Sequence, residues 1–158
     1  FMEHKEKKFF PLFVDFTQKR AVVIGGGKIA VRRIQTLLTF VGEITVIAPA
    51  CTESVKTLCQ KGKIIYKQKK FEAEDIENAD LVLAVTDNHA LNEEIYKICK
   101  ENNILVNVAS NQEKCDFHFP GILEYENVVI GFNGCGKDHK KVRRVREMIQ
   151  EMLSHKGE

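Results

Sequence analysis

Hydrophobic residues in the first two thirds of the chain occur in short uninterrupted runs and do not alternate with polar residues. The first run, at residues 21–24, is rich in β-branched side chains and is followed directly by glycine. This composition is typical of a strand that is buried on both faces of a parallel sheet. Further runs of the same kind lie at residues 44–47, 64–66, 81–85 and 104–108.

Most of these runs are separated by segments in which apolar residues recur every three or four positions. Such segments at residues 29–40, 54–60 and 91–101 predict amphipathic helices. Because strands then alternate with helices, the pattern predicts a parallel sheet with right-handed crossovers.

After Ser110 the pattern changes. Residues 117–124 and 128–132 predict two strands around a turn at 125–127, and residues 138–153 predict a final helix. We therefore expect two parts, an α/β domain at residues 1–112 and a smaller segment at residues 113–158.

The predicted final helix carries an apolar stripe. Val142, Val145, Ile149 and Met152 are spaced three, four and three residues apart, which is the spacing of a seam between two helices. Two interpretations stay open: the stripe packs against its own domain, or it pairs with a second copy of the chain.

Composition indicates a globular protein of the cytoplasm. Of 158 residues, 44% are hydrophobic and 29% are charged, and no apolar run approaches the roughly 20 residues that cross a bilayer. Residues 1–8 are too charged for the core of a secretion signal. The five cysteines form no Cys-x-x-Cys pair, which fits a reducing compartment. With a net charge of +2, we expect neither nucleic acid nor a membrane as a partner.

A glycine-rich segment follows the first predicted strand and opens a helix. Residues 25–30 read Gly-Gly-Gly-Lys-Ile-Ala, which fits the Gly-x-Gly-x-x-Ala motif of dinucleotide-binding folds. Gly25 would permit the tight turn, Gly27 would let the backbone approach a pyrophosphate, and Ala30 would let the helix pack closely. The alternative is a plain strand-to-helix turn. The motif predicts a Rossmann-like sheet that binds NAD.

Two strand ends complete the predicted cofactor site. The second strand usually ends in an acidic residue for the ribose, but residues 47–50 read Ile-Ala-Pro-Ala, so this position does not distinguish NAD from NADP. Thr86 and Asp87 close the fourth strand at the edge where such sheets bind ligands. They are also suited to capping the next helix.

Several motifs together resemble a known family. Residues 11–13 (Pro-Leu-Phe), 23–33, 84–87 (Ala-Val-Thr-Asp), 107–108 and 117–120 (Phe-His-Phe-Pro) are similar, in this order, to the precorrin-2 dehydrogenase domain of siroheme synthases. The resemblance implies NAD-dependent oxidation of precorrin-2 to sirohydrochlorin, sometimes joined to ferrochelation, and a dimerisation segment after the Rossmann domain. It also implies NAD contacts by Lys28, Ile29, Pro49 and Ala50.

The family's usual Asn-Val-Val-Asp is replaced by Asn-Val-Ala-Ser at residues 107–110. Ser110 does not titrate near neutrality, so it could position substrate or water but is a poor general base. Asp116 and His118 could supply proton transfer, although they also fit ordinary strand and loop positions. The candidate catalytic residues are therefore Ser110, Asp116 and His118.

A precorrin-2 substrate would bring eight carboxylates. Basic residues crowd the tail and could bind them, or they could form a solvated helix face. These residues are Lys137, Lys140, Lys141, Arg143, Arg144 and Arg146. Cys115, His118, Cys135 and His139 are plausible soft metal ligands, but no pair has structural-zinc spacing, and we expect no bound metal.

Three functional hypotheses follow. The first is an NAD-dependent precorrin-2 dehydrogenase that acts as a homodimer. Whether it also has ferrochelatase activity is left open. The second, suggested by Ser110 in place of an acid, is a tetrapyrrole- or nucleotide-binding sensor or chelatase that does not oxidise its ligand. The third is a generic nicotinamide reductase, which is less favoured because little chain follows the sheet.

Overall fold

The computed structural model describes residues 9–155, which belong to two compact units. Phe13–Phe117 form the sheet unit. Of the described residues, 118–155 form the hairpin unit together with residues 9–12. The segment 1–8, which is too charged for the core of a secretion signal, lies outside the described residues. The functional division at residues 112 and 113 stays a prediction.

The sheet unit contains five parallel strands in the order β3-β2-β1-β4-β5. The strands are β1 (Arg20–Ile24), β2 (Glu43–Ile47), β3 (Ile65–Lys67), β4 (Leu81–Ala84) and β5 (Leu105–Val108). The connecting helices are α1 (Lys28–Leu37), α2 (Glu53–Gln60) and α3 (His89–Glu101). The strand order reverses at β1, where open α/β sheets leave a crevice for ligands. The predicted Rossmann-like parallel sheet is confirmed.

Burial on both faces explains the uninterrupted apolar runs. Val22, Val82 and Val106 lie at equivalent positions of three strands and are fully buried against Ile95 and Cys99 of α3. The intervening strand residues, such as Val23 and Leu83, are fully buried too. Since neither face of β4 or of residues 21–24 of β1 meets water, no polar residue interrupts these runs.

The hairpin unit contains β6 (Gly121–Tyr125), β7 (Val128–Phe132) and α4 (His139–Ser154). The two strands pair antiparallel, and α4 packs on β6. Strand β6 begins at Gly121 and not at residue 117 as the pattern predicts, because Pro120 has no amide hydrogen for strand pairing. The turn is confined to Glu126 and Asn127, and Glu126 adopts a φ of 52°.

The first helix is shorter than its pattern predicts. Instead of continuing to residue 40, α1 ends at Leu37, and the amides of Phe40 and Val41 both donate to the Leu37 carbonyl, at 2.9 Å. This tightened last turn leads into β2. Each helix found between residues 9 and 155 is too short or too polar to cross a bilayer.

Candidate nucleotide-binding site

A cavity of about 1060 Å³ lies at the carboxyl edge of the parallel sheet. It is lined by the segments that follow four of the strands, and so it occupies the crevice where such sheets bind ligands. The lining includes the last residue of β1 and the turn after it (24–29) and the last residue of β2 and the loop after it (47–50). It also includes residues 70–71 after β3 and residues 85–88, 90, 91 and 94 after β4. All of these residues belong to the sheet unit.

Gly25 makes the tight turn out of β1. Its φ is 123°, a conformation that side-chain-bearing residues rarely adopt. A Cβ atom at this position would lie 2.5 Å from the Val85 carbonyl oxygen. The Gly25 amide donates to the Ile47 carbonyl at 2.9 Å, so the turn is fixed between the ends of β2 and β4.

Gly26 has a role that the sequence motif does not assign. A Cβ atom here would lie 2.6 Å from Cβ of Cys51 and 2.7 Å from the Ala50 carbonyl oxygen. The Gly26 carbonyl also accepts a hydrogen bond from the Thr52 amide at 2.9 Å. The middle glycine of the run therefore allows the loop after β2 to pack against the turn. Its only sequence signal was a glycine at the variable position of the motif.

Gly27 opens α1 and faces free space. It is the N-cap residue, and no atom lies within 4 Å of where its Cβ would be. No side chain caps the helix start, and its first turn contains no acidic residue. By contrast, Asn88 caps α3 and Asp138 caps α4 through side-chain hydrogen bonds. The start of α1 thus keeps free N–H donors and a positive dipole end beside the cavity, which fits a diphosphate.

All eight predicted cofactor-binding residues line this one cavity. They are Gly25, Gly27, Lys28, Ile29, Pro49, Ala50, Thr86 and Asp87. The sequence motifs on three different strand ends therefore meet in space, while direct contact with a cofactor stays a prediction.

The segment after β2 is held by two side chains from the β3 side. The Tyr66 hydroxyl donates to the Ala48 carbonyl at 3.0 Å, and Nε2 of Gln68 donates to the Pro49 carbonyl at 3.2 Å. Burial, with a smaller effect from a hydrogen bond to Cys51, raises the pKa of Tyr66 to about 12. The phenol consequently keeps its proton and remains a donor throughout the physiological range.

A buried asparagine connects the β4 side of the cavity with Ser110. Asn92 is 1% exposed; its Oδ1 accepts from the Thr86 hydroxyl at 2.6 Å and from the Thr86 amide at 3.3 Å. Its Nδ2 donates to the Thr86 carbonyl at 3.0 Å and to the Ser110 hydroxyl at 3.2 Å. Ser110 therefore lies one side chain away from a lining residue. Sequence reasoning missed Asn92, since an asparagine within a helix gives no sign that it is buried.

Asp116 lies away from the cavity edge. Its Oδ1 is 2.7 Å from Nζ of Lys100, at the end of α3, and its Oδ2 accepts from the Val106 amide at 3.0 Å, near the start of β5. The hydrogen bond to Asp116 raises the pKa of Lys100. Both carboxylate oxygens are thus engaged, and a catalytic role for Asp116 stays a prediction.

His118 belongs to the hairpin unit. Its Nδ1 lies 3.4 Å from Oδ1 of Asn133, and its ring centroid lies 3.9 Å from that of Phe9. Cys115 belongs to the sheet unit and donates to the Val108 carbonyl at 3.3 Å; burial raises the pKa of its thiol. Within residues 9–155, no three His, Cys, Asp or Glu side chains cluster as a metal site would need.

A parallel α/β sheet, a tight glycine turn and an uncapped helix start beside a large cavity define a nucleotide-binding protein. Comparison with known proteins makes this more specific. Residues 12–121 match a family model described as "Putative NAD(P)-binding". The chain belongs to this family of NAD(P)-binding domains, and within it the chain is similar to siroheme synthases.

Two curated relatives illustrate the similarity. A siroheme synthase of Ruthia magnifica subsp. Calyptogena magnifica is 37% identical over 93% of this chain and 31% of its own length. A probable multifunctional siroheme biosynthesis protein HemA of Ruminiclostridium josui is 37% identical over 90% of this chain and 28% of its own length. The chain thus spans about a third of these relatives.

A solved structure shares the fold. SirC, a precorrin-2 dehydrogenase, superposes with a TM-score of 0.79 and 27% sequence identity, over 90% of this chain and 70% of that one. The match therefore extends beyond the sheet unit into the hairpin unit.

Proposed function

We propose that this chain is an NAD-dependent dehydrogenase that oxidises precorrin-2 to sirohydrochlorin in siroheme biosynthesis. The observation that carries the proposal is the free space beside Gly27, at an uncapped helix start, in a cavity that also contains every predicted cofactor residue. Similarity to SirC over 90% of the chain supports precorrin-2 as the substrate.

When bound, a nicotinamide supplies the redox chemistry by accepting a hydride from the substrate. The residues of this chain would bind and orient the reactants. Backbone amides at the start of α1 would bind the diphosphate, Pro49 and Ala50 would lie beside the adenosine, and Thr86 and Asp87 would lie beside the nicotinamide. Correct alignment of the two reactants is itself a large part of catalysis.

Removal of a hydride leaves a proton to be taken from the macrocycle. The carboxylate of Asp116 already accepts two hydrogen bonds, and Ser110 does not titrate near neutrality. An imidazole nitrogen can accept a proton, so His118 is the one of the three predicted residues that we propose as its acceptor. Ser110 would position a group through Asn92.

The substrate carboxylates require cations. The basic residues of the hairpin unit suit this role, and most of them are exposed on α4. Arg143 is already paired with Glu147, at 2.8 Å, so we propose its neighbours Arg144 and Arg146 as the better candidates for bidentate contacts.

A homodimer is part of the same proposal. Val145, Met148 and Met152 are 36%, 54% and 63% exposed and lie three and four residues apart on one face of α4. This face would be covered by a second copy of the chain. The cytoplasmic location stays a prediction.

An anaerobic assay tests the proposed activity. Purified protein with precorrin-2 and NAD should produce NADH and sirohydrochlorin in equal amounts. The absorbance of each product measures its formation. The Gly27→Ala variant serves as the matched control, because its added methyl group would occupy the space proposed for the diphosphate. Absence of both products would refute the dehydrogenase.

One observation favours a second candidate function. The residue at the family's acidic position is Ser110, and its hydroxyl is hydrogen-bonded to Asn92. A chelatase or sensor of the same fold would need no base at that position. Dinucleotide binding without turnover, together with tetrapyrrole binding, would favour this alternative.

A further inference from the structure

The side of the cavity next to β2 carries positive charge. The lining segment after β2, residues 47–50, contains no carboxylate. Lys70 lines the same cavity from the loop after β3, which is the strand paired with β2. The acidic lining residues, Asp87 and Glu94, both follow β4, on the opposite side of β1.

This charge distribution bears on which dinucleotide fits. In folds of this class an acidic residue at the end of the second strand hydrogen-bonds the ribose 2′-hydroxyl of NAD, and a cation near the same place accommodates the 2′-phosphate of NADP. An acid there would also repel the phosphate. Here that acid is missing, and a lysine lies on the neighbouring strand's loop, where it can form a charge-assisted hydrogen bond to a phosphate.

The loop that carries Lys70 is fixed on both sides. Lys69 is ion-paired with Glu72 and with Asp75, the latter at 3.2 Å. Asp75 is 6% exposed, and its Oδ2 accepts from the Glu72 amide at 2.9 Å. Phe71 packs against the hydrophobic core. Among residues 9–155, no carboxylate pairs with Lys70 itself, so the loop presents an unneutralised cation to the cavity.

We propose that Lys70 binds the 2′-phosphate of NADP, so that the cavity accepts NADP as well as NAD. The inference rests on the proposed function, because it assumes that the dinucleotide lies in this cavity with its adenosine toward β2. It concerns binding, and it can be tested without the tetrapyrrole substrate.

The test is a fluorescence titration of the whole chain with NADH and with NADPH. We expect the two dissociation constants to lie within about tenfold of each other in the unaltered protein. Lys70→Glu should weaken NADPH binding by about tenfold or more, because a hydrogen bond to a charged group is lost and a repulsion is added. NADH binding should change far less.

Lys63→Glu is the matched control. Lys63 is exposed and precedes β3, at the opposite edge of the sheet from Lys70. The substitution therefore makes the same change of charge at a position away from the cavity. It should leave both affinities unchanged. Lys70→Ala provides a second variant that removes the cation without adding repulsion, and it should also weaken NADPH selectively.

The outcomes separate this inference from the proposed function. If NADH bound and NADPH bound at least about a hundredfold more weakly, this inference would be overturned and the proposed function would stand. Equal weakening of both ligands by Lys70→Glu, or an unchanged NADPH affinity, would also overturn it. Failure of both dinucleotides to bind would remove the nicotinamide site, and with it both proposals.

Discussion

Two glycines of one turn differ in what a methyl group would meet. At Gly25 a methyl would clash with the Val85 carbonyl at 2.5 Å in a strained conformation, whereas at Gly27 it would enter free space. We expect Gly25→Ala to lose about 1–3 kcal/mol of stability or more. Gly27→Ala should lose about 1 kcal/mol or less yet bind dinucleotide much more weakly.

Chemical denaturation and NADH titration of both variants would check this contrast. Wild-type NADH affinity in Gly27→Ala would contradict a diphosphate at this position. Unchanged stability in Gly25→Ala would contradict the geometry of the turn.

Cys99 makes stability depend on pH in the alkaline range. The residue is fully buried, and burial, aided by the charge of Asp116, raises the pKa of its thiol to about 12. An unfolded chain ionises this thiol near pH ~8.5, so the unfolded state binds fewer protons above that pH. The contribution of the protonated thiol to the free energy of unfolding is therefore fully present below pH ~8.5. It falls by up to about 1.4 kcal/mol per pH unit as pH rises toward the pKa of the folded state.

The slope of unfolding free energy against pH, between pH about 8 and 10, would measure this effect. Cys99→Ala should lower stability overall but flatten the slope. Parallel slopes in the two proteins would show that the thiol is not the responsible group.

At this scale the sequence was informative where a residue's role depends on its chain neighbours. The position of Gly25, Gly27 and Thr86 at the cavity could be predicted because a motif or a strand end adjoins each of them. Gly26 and Asn92 could not, since their roles depend on Cys51, Ser110 and other residues that are distant in the chain.

At the scale of elements, Asn92 joins α3 to the loop after β4 and to the end of β5. Asn92→Ala would remove the hydrogen bonds that Asn92 makes to Thr86 and Ser110. Ser110 is exposed and the Thr86 hydroxyl keeps its contact with the Asn88 carbonyl. The main loss is therefore at the half-buried backbone of Thr86, where each unsatisfied group costs about 1–3 kcal/mol. We expect lower thermal stability and weaker NADH binding, because Thr86 lines the cavity.

Thermal unfolding and NADH titration would measure both effects, with the exposed residue Lys97 of α3 changed to alanine as control. If Asn92→Ala lost stability but bound NADH normally, Asn92 would be purely structural and would not position the cavity loop.

Element types were predictable, and some element ends were not. Buried runs and helical spacing identified the five strands and three α-helices of the sheet unit, because each pattern is local. The end of α1 at Leu37 was missed because the apolar spacing continues to Phe40. The late start of β6 after Pro120 could have been recognised from proline's missing amide hydrogen.

At the scale of the whole molecule, the apolar stripe of α4 divides between two faces. Gly121 and Gly134 both lie close to Val142, and Val142 and Ile149 are half-buried. Val145 and Met152 are exposed. Packing within the hairpin unit therefore fits Val142 and Ile149, while pairing with a second copy stays a proposal for Val145 and Met152. Spacing alone could not separate these members.

The exposed face predicts an effect on assembly. Met148→Glu would place a charge at the proposed interface and should shift the protein from dimer to monomer, as measured by sedimentation equilibrium. Gln150→Glu, a change on a different face of α4, should leave the mass unchanged. A monomeric unaltered protein would contradict the proposed homodimer.

The uncapped start of α1 has a consequence for the life of the protein in a cell. A helix whose first donors lack side-chain partners frays more readily, and a bound diphosphate would supply the missing acceptors. Scarcity of dinucleotide would then leave the fold easier to open and to degrade. Abundance of this protein would accordingly follow the supply of its own coenzyme.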